Sequence, residues 1–446
     1  MSNAKRERYD YRVLGGRMAD ATDSARGRSE EGGIPTTLGG KLKLMGPGLV
    51  LAAGGVGAGD LVTSLVAGTR FGTTLIWVIV LGALIKLSLV EGLGRWYMAT
   101  GTTILEGWHS ISRWASGYFV VYLCLVIFFY GAAVTSAAAL AAAAMFPGVL
   151  PIWGWAVIHG VAGFIILLIG RYALFERIMM GFVVLMFITV VGLGIFLLPG
   201  LQQNLAAGFV PTLPEGSLLY ALGVAGGVSG TYSIAAYTYW VRERGWRSSS
   251  WIPVMRVDSG VGYVVTALFM ISMLIIGASF LFGTGTTIDG EEGLVALSDP
   301  LAEQFGGLAK WLFLIGFWSA VSSSILGGWN AAAYLFADYV RTVRRVPEDQ
   351  AEEYLSEKSL YFRGFLVYCA FPPMILLAFG EPVLLVLVYA SLGALLLPFM
   401  AITLLWLLNS GRIAREYRNK ALSNILMTLA VLVFVVLAVR EVIGLF

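Results

Sequence analysis

Read for hydropathy, the chain is a series of long apolar runs separated by short polar turns. Eleven runs are long enough to span a membrane, near 44–69, 74–97, 117–145, 151–170, 175–198, 217–241, 257–283, 307–339, 361–379, 382–408 and 421–444, since about 20 helical residues cross the hydrocarbon core. Lipid offers no partner for backbone N–H and C=O groups, so runs of this length predict helices. Two polar stretches between them, 292–305 and 340–360, predict short surface helices. Residues 1–43 are rich in Gly, Ser, Arg and Glu and predict a flexible tail. They contain no early apolar run, so no cleavable signal peptide is expected.

Two runs are interrupted at mid-span. The first contains Gly54-Gly55-Val56-Gly57-Ala58-Gly59-Asp60; the sixth contains Gly223-Val224-Ala225-Gly226-Gly227-Val228-Ser229-Gly230-Thr231. Irregular backbone at that depth is tolerated only where protein or a water-filled cavity surrounds it. Runs one and six hold corresponding places in two five-helix halves, the layout of an inverted repeat whose broken helices meet near the midplane. The halves would span 44–198 and 217–408, with 421–444 as an extra helix. The plainer account is that these glycines only let helices pack closely. Two matched clusters, one carrying an ionisable residue, favour a site.

Composition agrees with a polytopic membrane protein, with the bilayer as its first partner. The chain is 58% hydrophobic and 13% charged, with mean hydropathy +0.80, against about 25% charged residues in soluble domains. The placement of charge matters more than the net +3. Alternate loops carry Arg95 and Arg113, then Arg171 and Arg177, then Arg242, Arg244, Arg247 and Arg256, then Arg341, Arg344 and Arg345, then Arg412, Arg415, Arg418 and Lys420. The loops at 199–216 and 284–306 hold no Lys or Arg, and Arg70 is a lone exception. By the positive-inside rule the N-terminus is expected in the cytoplasm and the C-terminus outside the cell membrane. Cys124 and Cys369 lie in apolar runs and suggest neither a disulfide framework nor a metal cluster. His109 and His159 are too few for a histidine-built metal site, and His159 is read as a hydrogen-bonded packing residue. With no nucleotide-binding loop, catalytic triad or hydrolase motif, neither an enzyme, a cofactor nor a nucleic-acid partner is expected.

Several residues then form a familiar order. Gly46-Pro47-Gly48, the first break, Ala67-Gly68 and Phe71-Gly72 resemble the first helix of the Nramp divalent-metal transporters. Arg95 with Ala99-Thr100-Gly101 is similar to the end of their second helix. Ser322-Ser323-Ser324 with Gly327 is similar to their eighth, and Leu397-Pro398-Phe399 to their tenth. The resemblance covers most of 44–444 and implies an all-α membrane protein of eleven transmembrane helices. It further implies a LeuT-type 5+5 inverted repeat with helices 1 and 6 broken, plus one extra helix. The departures are equally informative. The family's Asp-Pro-Gly-Asn reads Gly57, Ala58, Gly59 and Asp60 here, so the first aspartate ligand is lost and the asparagine position is Asp60. Its Met-Pro-His falls on Gly227-Val228-Ser229 or Val228-Ser229-Gly230, without thioether or imidazole. The third helix, Gly131-Ala132-Ala133-Val134-Thr135-Ser136, offers no carboxylate. These losses resemble the Nramp-related magnesium transporter branch, which implies Mg2+ as cargo and no proton coupling.

The residues left in place suit a hard cation, which takes oxygen ligands and, as Mg2+, keeps several waters. Asp60 supplies the one carboxylate and is the metal-ligand candidate. Carbonyls near Gly57 and Ala225, and the hydroxyls of Ser229 and Thr231 around Val228, complete a thin site better matched to a hydrated ion. In the plainer reading Asp60 caps the second half of its helix. Lys86 lies near the middle of the second run, where a lysine should face a cavity or a carboxylate. Beside Asp60 it would disfavour a divalent ion and stand in for a coupling ion; otherwise it makes a structural pair away from the cargo. Glu91 and Arg95 are spaced to pair on one helix face. The expected function is secondary transport of Mg2+, and of Mn2+ too, by alternating access. The alternative is a small organic solute whose carboxylate meets half-helix N-termini and Lys86.

Overall fold

The computed structural model describes residues 34–201, 205–228, 230–282, 295, 297–379 and 382–444. All regular structure among them is helical. The long elements are α1a (Pro47–Gly55), α1b (Ala58–Phe71), α2 (Ile76–Thr100), α3 (Arg113–Met145), α4 (Ile152–Leu168) and α5 (Tyr172–Met186). There follow α6a (Leu218–Gly227), α6b (Ser233–Glu243), α7 (Ile252–Leu281), α8 (Gly307–Arg344), α9 (Leu360–Ala370), α10 (Pro382–Asn409) and α11 (Ala421–Gly444). Among the described residues six helices are long and apolar enough to cross a membrane, and three further apolar helices are shorter. Val121 and Leu125 on α3, Ile158 and Ile165 on α4, and Ile188 and Ile195 beyond α5 are exposed. Aliphatic side chains in that number suit a surface turned to lipid.

Both expected interruptions are real breaks. The α-helical pattern stops at Gly55 and resumes at Ala58; it stops again at Gly227 and resumes at Ser233. Glycine explains the second directly, because Gly230 takes a left-handed φ of 68° that a side chain would resist. Other expectations need adjustment. The tail was expected to be flexible through residue 43, yet Leu38–Leu42 forms a short helix with Thr37 Oγ1 accepting from Gly40 N at 3.2 Å; residues 1–33 lie outside the described residues. Residues 340–344 are not a surface helix but the last turn of α8, whose 38 residues run roughly 57 Å. The surface helix beyond it is only Ala351–Tyr354, and the other is Ser298–Phe305. The ninth run leaves α-geometry at Phe371 and continues as a 3-10 helix over Pro372–Phe379, because two consecutive prolines remove the amide donors an α-helix needs.

The arginine-rich end is tied shut. Asp258 on α7 accepts from Gly46 N at 2.9 Å, Gly48 N at 2.6 Å and the Tyr237 hydroxyl at 2.8 Å. It thereby satisfies the free amides at the start of α1a and joins α6b to the same point. Arg244, following α6b, pairs with Glu176 on α5 at 3.0 Å and donates to Met45 O at 3.2 Å. Tyr239 on α6b donates to Asp338 on α8 at 2.6 Å, and Arg341 bridges Asp338 and Glu106, each at 2.8 Å. Glu91 fulfils its expected pairing with Arg95 at 2.9 Å and adds Arg256 of α7 at 2.8 Å. Every residue of α1a is buried, as is α6b from Ser233 to Arg242.

One buried carboxyl of this end gives a pH signature. Glu357, between α8 and α9, accepts from Asn330 Nδ2 at 3.0 Å, and Asn330 in turn accepts from Trp240 Nε1 at 2.8 Å. Burial, then the charge of Glu243, push the Glu357 carboxyl from 4.5 up to about 7, against the opposing Asn330 bond. The folded protein thus holds this proton more tightly than the unfolded chain. Its contribution is full below pH about 4.5 and is lost as pH rises through about 7. Glu357→Gln, which still accepts from Asn330, is expected to match wild type at pH 5 and exceed it at pH 8. The gain should be about 2–3 kcal/mol, read as a raised unfolding temperature in detergent. Equal unfolding temperatures at pH 8 would contradict this.

Candidate functional site at the two helix breaks

The breaks meet. A Cβ on Gly230 would lie 3.3 Å from Gly55 Cα, so the unwound backbone of the second break touches the end of α1a at the first. Small residues bring the neighbours equally close. The backbones of α1a and α8 touch at Gly54 and Gly327, where a Cβ on Gly327 would lie 2.5 Å from Gly54 Cα. This contact lets α8 serve the end of α1a. Ser323 Oγ donates to Ala53 O at 2.7 Å and Ser324 Oγ to Val56 O at 3.0 Å. These are carbonyls that the break deprives of helical amides. The Tyr130 hydroxyl of α3 donates to Ser324 O at 2.7 Å, and its ring stands edge-on to Tyr232 with centroids 5.6 Å apart.

Lys86 is brought to the second break in the same way. Gly82, one turn earlier on the same face of α2, lies against Ala225 and Val228, its built Cβ being 3.0 Å from Ala225 O. That approach sets Lys86 over the unwound stretch. Its Nζ donates to Gly226 O and to Gly230 O, each at 2.7 Å, and the side chain is fully buried. Lys86 therefore pairs at the second break.

The remaining candidates separate by position. Gly57 is half-buried between the halves of helix 1, with Ser324 Oγ 3.5 Å from where its Cβ would stand, and its carbonyl accepts from Leu61 N at 3.2 Å. Asp60 is placed by its backbone in the first turn of α1b, past the cap position, which Gly57 occupies. Its side chain lies outside what the structure describes, as does the whole of Ser229. Ala225 falls inside α6a but in its last turn, where carbonyls lack helical amides, and Val228 is buried against α2. Thr231 is half-buried, and its hydroxyl has no hydrogen-bond partner among the described residues. Glu91 belongs to the arginine-rich end, not to the breaks. Among the described residues no three His, Cys, Asp or Glu side chains are grouped to hold a metal. The described donors at the breaks are carbonyl and hydroxyl oxygens, which suit a hard cation.

Exposure is lopsided. Gly57 and Thr63 on one side, and Gly223, Gly226, Gly227, Gly230 and Thr231 on the other, are part-exposed, whereas α1a and α6b are sealed. The part-exposed residues at the breaks thus fall on the α1b and α6a side. Of the other expectations, His159 packs between Trp155 O, 2.7 Å from its Nδ1, and Trp318 Nε1, which donates to its Nε2 at 2.8 Å. On α6b, Tyr237, Tyr239 and Trp240 are buried, each donating to a polar side chain. Sequence reasoning missed Asp258, and it singled out Ser323 only as part of a motif without a role. Asp258 was legible only as a carboxylate within the seventh apolar run, where an ionisable residue calls for a partner.

A family model described as natural resistance-associated macrophage protein-like matches residues 48–444. A divalent metal cation transporter, MntH, of Staphylococcus saprophyticus is 23% identical over 315 residues, covering 66% of this chain and 70% of that protein. The crystal structure of a histidine-to-alanine mutant of the Eremococcus coleocola manganese transporter superposes with TM-score 0.73 at 18% identity, over 92% of this chain and 88% of that one. A nucleobase-cation-symport-1 family transporter in a closed conformation superposes with TM-score 0.56 at 14% identity, over 90% and 91%. These likenesses establish the LeuT-type fold, with both breaks where that fold has its discontinuous helices.

Proposed function

The chain belongs to the Nramp family, and from that premise we propose that it carries a divalent cation, Mg2+ and also Mn2+, across the membrane by alternating access without proton coupling. The observation that carries this reading is the contact of the two breaks at Gly55 and Gly230 beside α1b, the helix whose first turn includes Asp60 in sequence. Support for the metal comes from the relatives, named as divalent metal cation and manganese transporters. Support for a hard, partly hydrated ion comes from the donor set, which offers oxygen and no thioether. Gly57, Asp60, Ser229 and Thr231 are its proposed contacts. The lack of carboxylate or imidazole at residues 131–136 and 227–230 argues for flow down the ion's own gradient.

In this reading the arginine-rich end is cytoplasmic, the C-terminus is outside, and the sealed α1a and α6b hold the carrier open to the exterior. Residues 44–198 and 217–408 are the two halves of the inverted repeat, and 421–444 is the added helix. Proteoliposomes with a metal-sensitive dye and a pH dye inside test the proposal. Saturable entry of Mg2+ and Mn2+ without acidification is expected. Entry with acidification contradicts uncoupled transport, and no entry of either ion contradicts the metal cargo. One observation favours a second reading. The buried Lys86 ammonium suits a small organic carboxylate, and flux of such a solute independent of divalent ions would establish it.

A further inference from the structure

Lys86 does something that neither the family match nor the donor set assigns. Breaking helix 6 leaves carbonyl oxygens without helical amides, and in a membrane interior such oxygens need a donor or a cation. Here both Gly226 O and Gly230 O, one before the break and one within it, point at the same atom, Lys86 Nζ, at 2.7 Å each. The nitrogen sits where a bare cation bridging the break would sit, at a hydrogen-bond distance, and is shut off from solvent. Gly82 lets α2 come close enough for this reach. The neighbouring Thr231 hydroxyl is a third oxygen, buried and without a partner among the described residues.

We propose that Lys86 is a tethered cation: its ammonium fills the coordination position formed by Gly226 O and Gly230 O, and by filling it sets which cargo the site accepts. A dehydrated divalent ion cannot share those carbonyls with an ammonium, and the like charges repel strongly where solvent is excluded. The helix 6 half of the site is therefore closed to a dehydrated ion. Cargo is confined to the helix 1 half, held loosely and with its water. This rests on the reading of the site as a divalent-cation site. It deepens that reading by naming the residue that keeps affinity low. The same lysine staples the two ends of the break to α2, so α2 and helix 6 move together.

Removing the charge should convert the plug into a ligand position. Purified full-length Lys86→Met is titrated with Mn2+ by calorimetry, beside wild type, Lys86→Arg and the double variant Lys86→Met/Thr231→Val. The methionine variant is expected to bind Mn2+ at least about tenfold tighter than wild type, with part of the gain lost in the double variant. Lys86→Arg, which keeps a charged donor, should stay at the wild-type level. Lys86→Gln has the same expectation as the methionine variant, in smaller measure, and replaces it if that variant does not fold. Equal or weaker binding in both neutral variants overturns the proposal, and so does an equal gain in Lys86→Arg. Wild-type flux of Mn2+ with no gain in the neutral variants refutes the tethered cation alone. A gain in binding with no wild-type flux refutes the cargo assignment alone. Neither flux nor gain refutes both.

Discussion

Asp258→Ala is expected to release α1a and open the arginine-rich end. The carboxylate is 1% exposed and is held by three donors, two of them the amides of Gly46 and Gly48 that α1a cannot satisfy itself. A negative group at that helix start is also favoured by the helix dipole. Alanine leaves two backbone donors and the Tyr237 hydroxyl buried without that acceptor, at a cost of about 3 kcal/mol or more for the closed state. Opening lets water reach them, so the cost falls on one conformation rather than on the fold. The reading is the reaction of an Ala52→Cys probe, buried at 2% exposure, with a hydrophilic maleimide in detergent. The probe is expected to be inert alone and to react in the Asp258→Ala background. Asp258→Asn, which keeps one acceptor for an amide, should give an intermediate rate. Equal, slow reaction in all three would show that Asp258 is not what holds α1a.

Gly327→Leu is expected to prevent assembly of the site altogether. The Gly54 and Gly327 backbones touch, and a single Cβ at either would stand less than 3 Å from the other's Cα. No rotamer avoids this, because the clash begins at Cβ. Alanine must push α8 from α1a, stretching the Ser323 and Ser324 bonds to Ala53 O and Val56 O. Overpacking of this kind costs about 1–3 kcal/mol, so Gly327→Ala should fold with a lowered unfolding temperature. Leucine should yield protein that aggregates on size-exclusion chromatography. A monodisperse leucine variant with wild-type stability would contradict the contact.

Hydropathy was enough to locate most helices because lipid allows few other spanning structures. It placed both breaks within the right runs, since glycine clusters weaken a helix wherever it is buried. The extent of the second break was less legible. Ala225 and Gly226 stay helical although they lie in the same glycine-rich cluster as Gly230, and α2 packs against Ala225 at Gly82. The role of Lys86 was half legible. Its depth demanded a partner, but only the fold brings α2 over the helix 6 break, where the partners include backbone carbonyls. Asp258 and the serines of α8 act through backbone groups hundreds of positions away in the chain. No local pattern encodes such a pairing. The resemblance to a family pointed at Ser322, Ser323, Ser324 and Gly327 as a motif; the structure adds that its glycine admits α1a and two of its serines hold the carbonyls there.

The central claim is that the meeting point of the breaks binds a divalent cation through Asp60, the one carboxylate within either glycine cluster. Isothermal titration of the purified protein with Mn2+ and with Mg2+ to millimolar levels, beside Asp60→Ala, addresses it most directly. Saturable binding of both ions to wild type is predicted, weakened about 100-fold or more in the variant, the loss of about 3 kcal/mol that a single carboxylate facing a doubly charged ion accounts for. Binding unchanged by Asp60→Ala, or no binding of either ion to the folded wild type, would contradict the account.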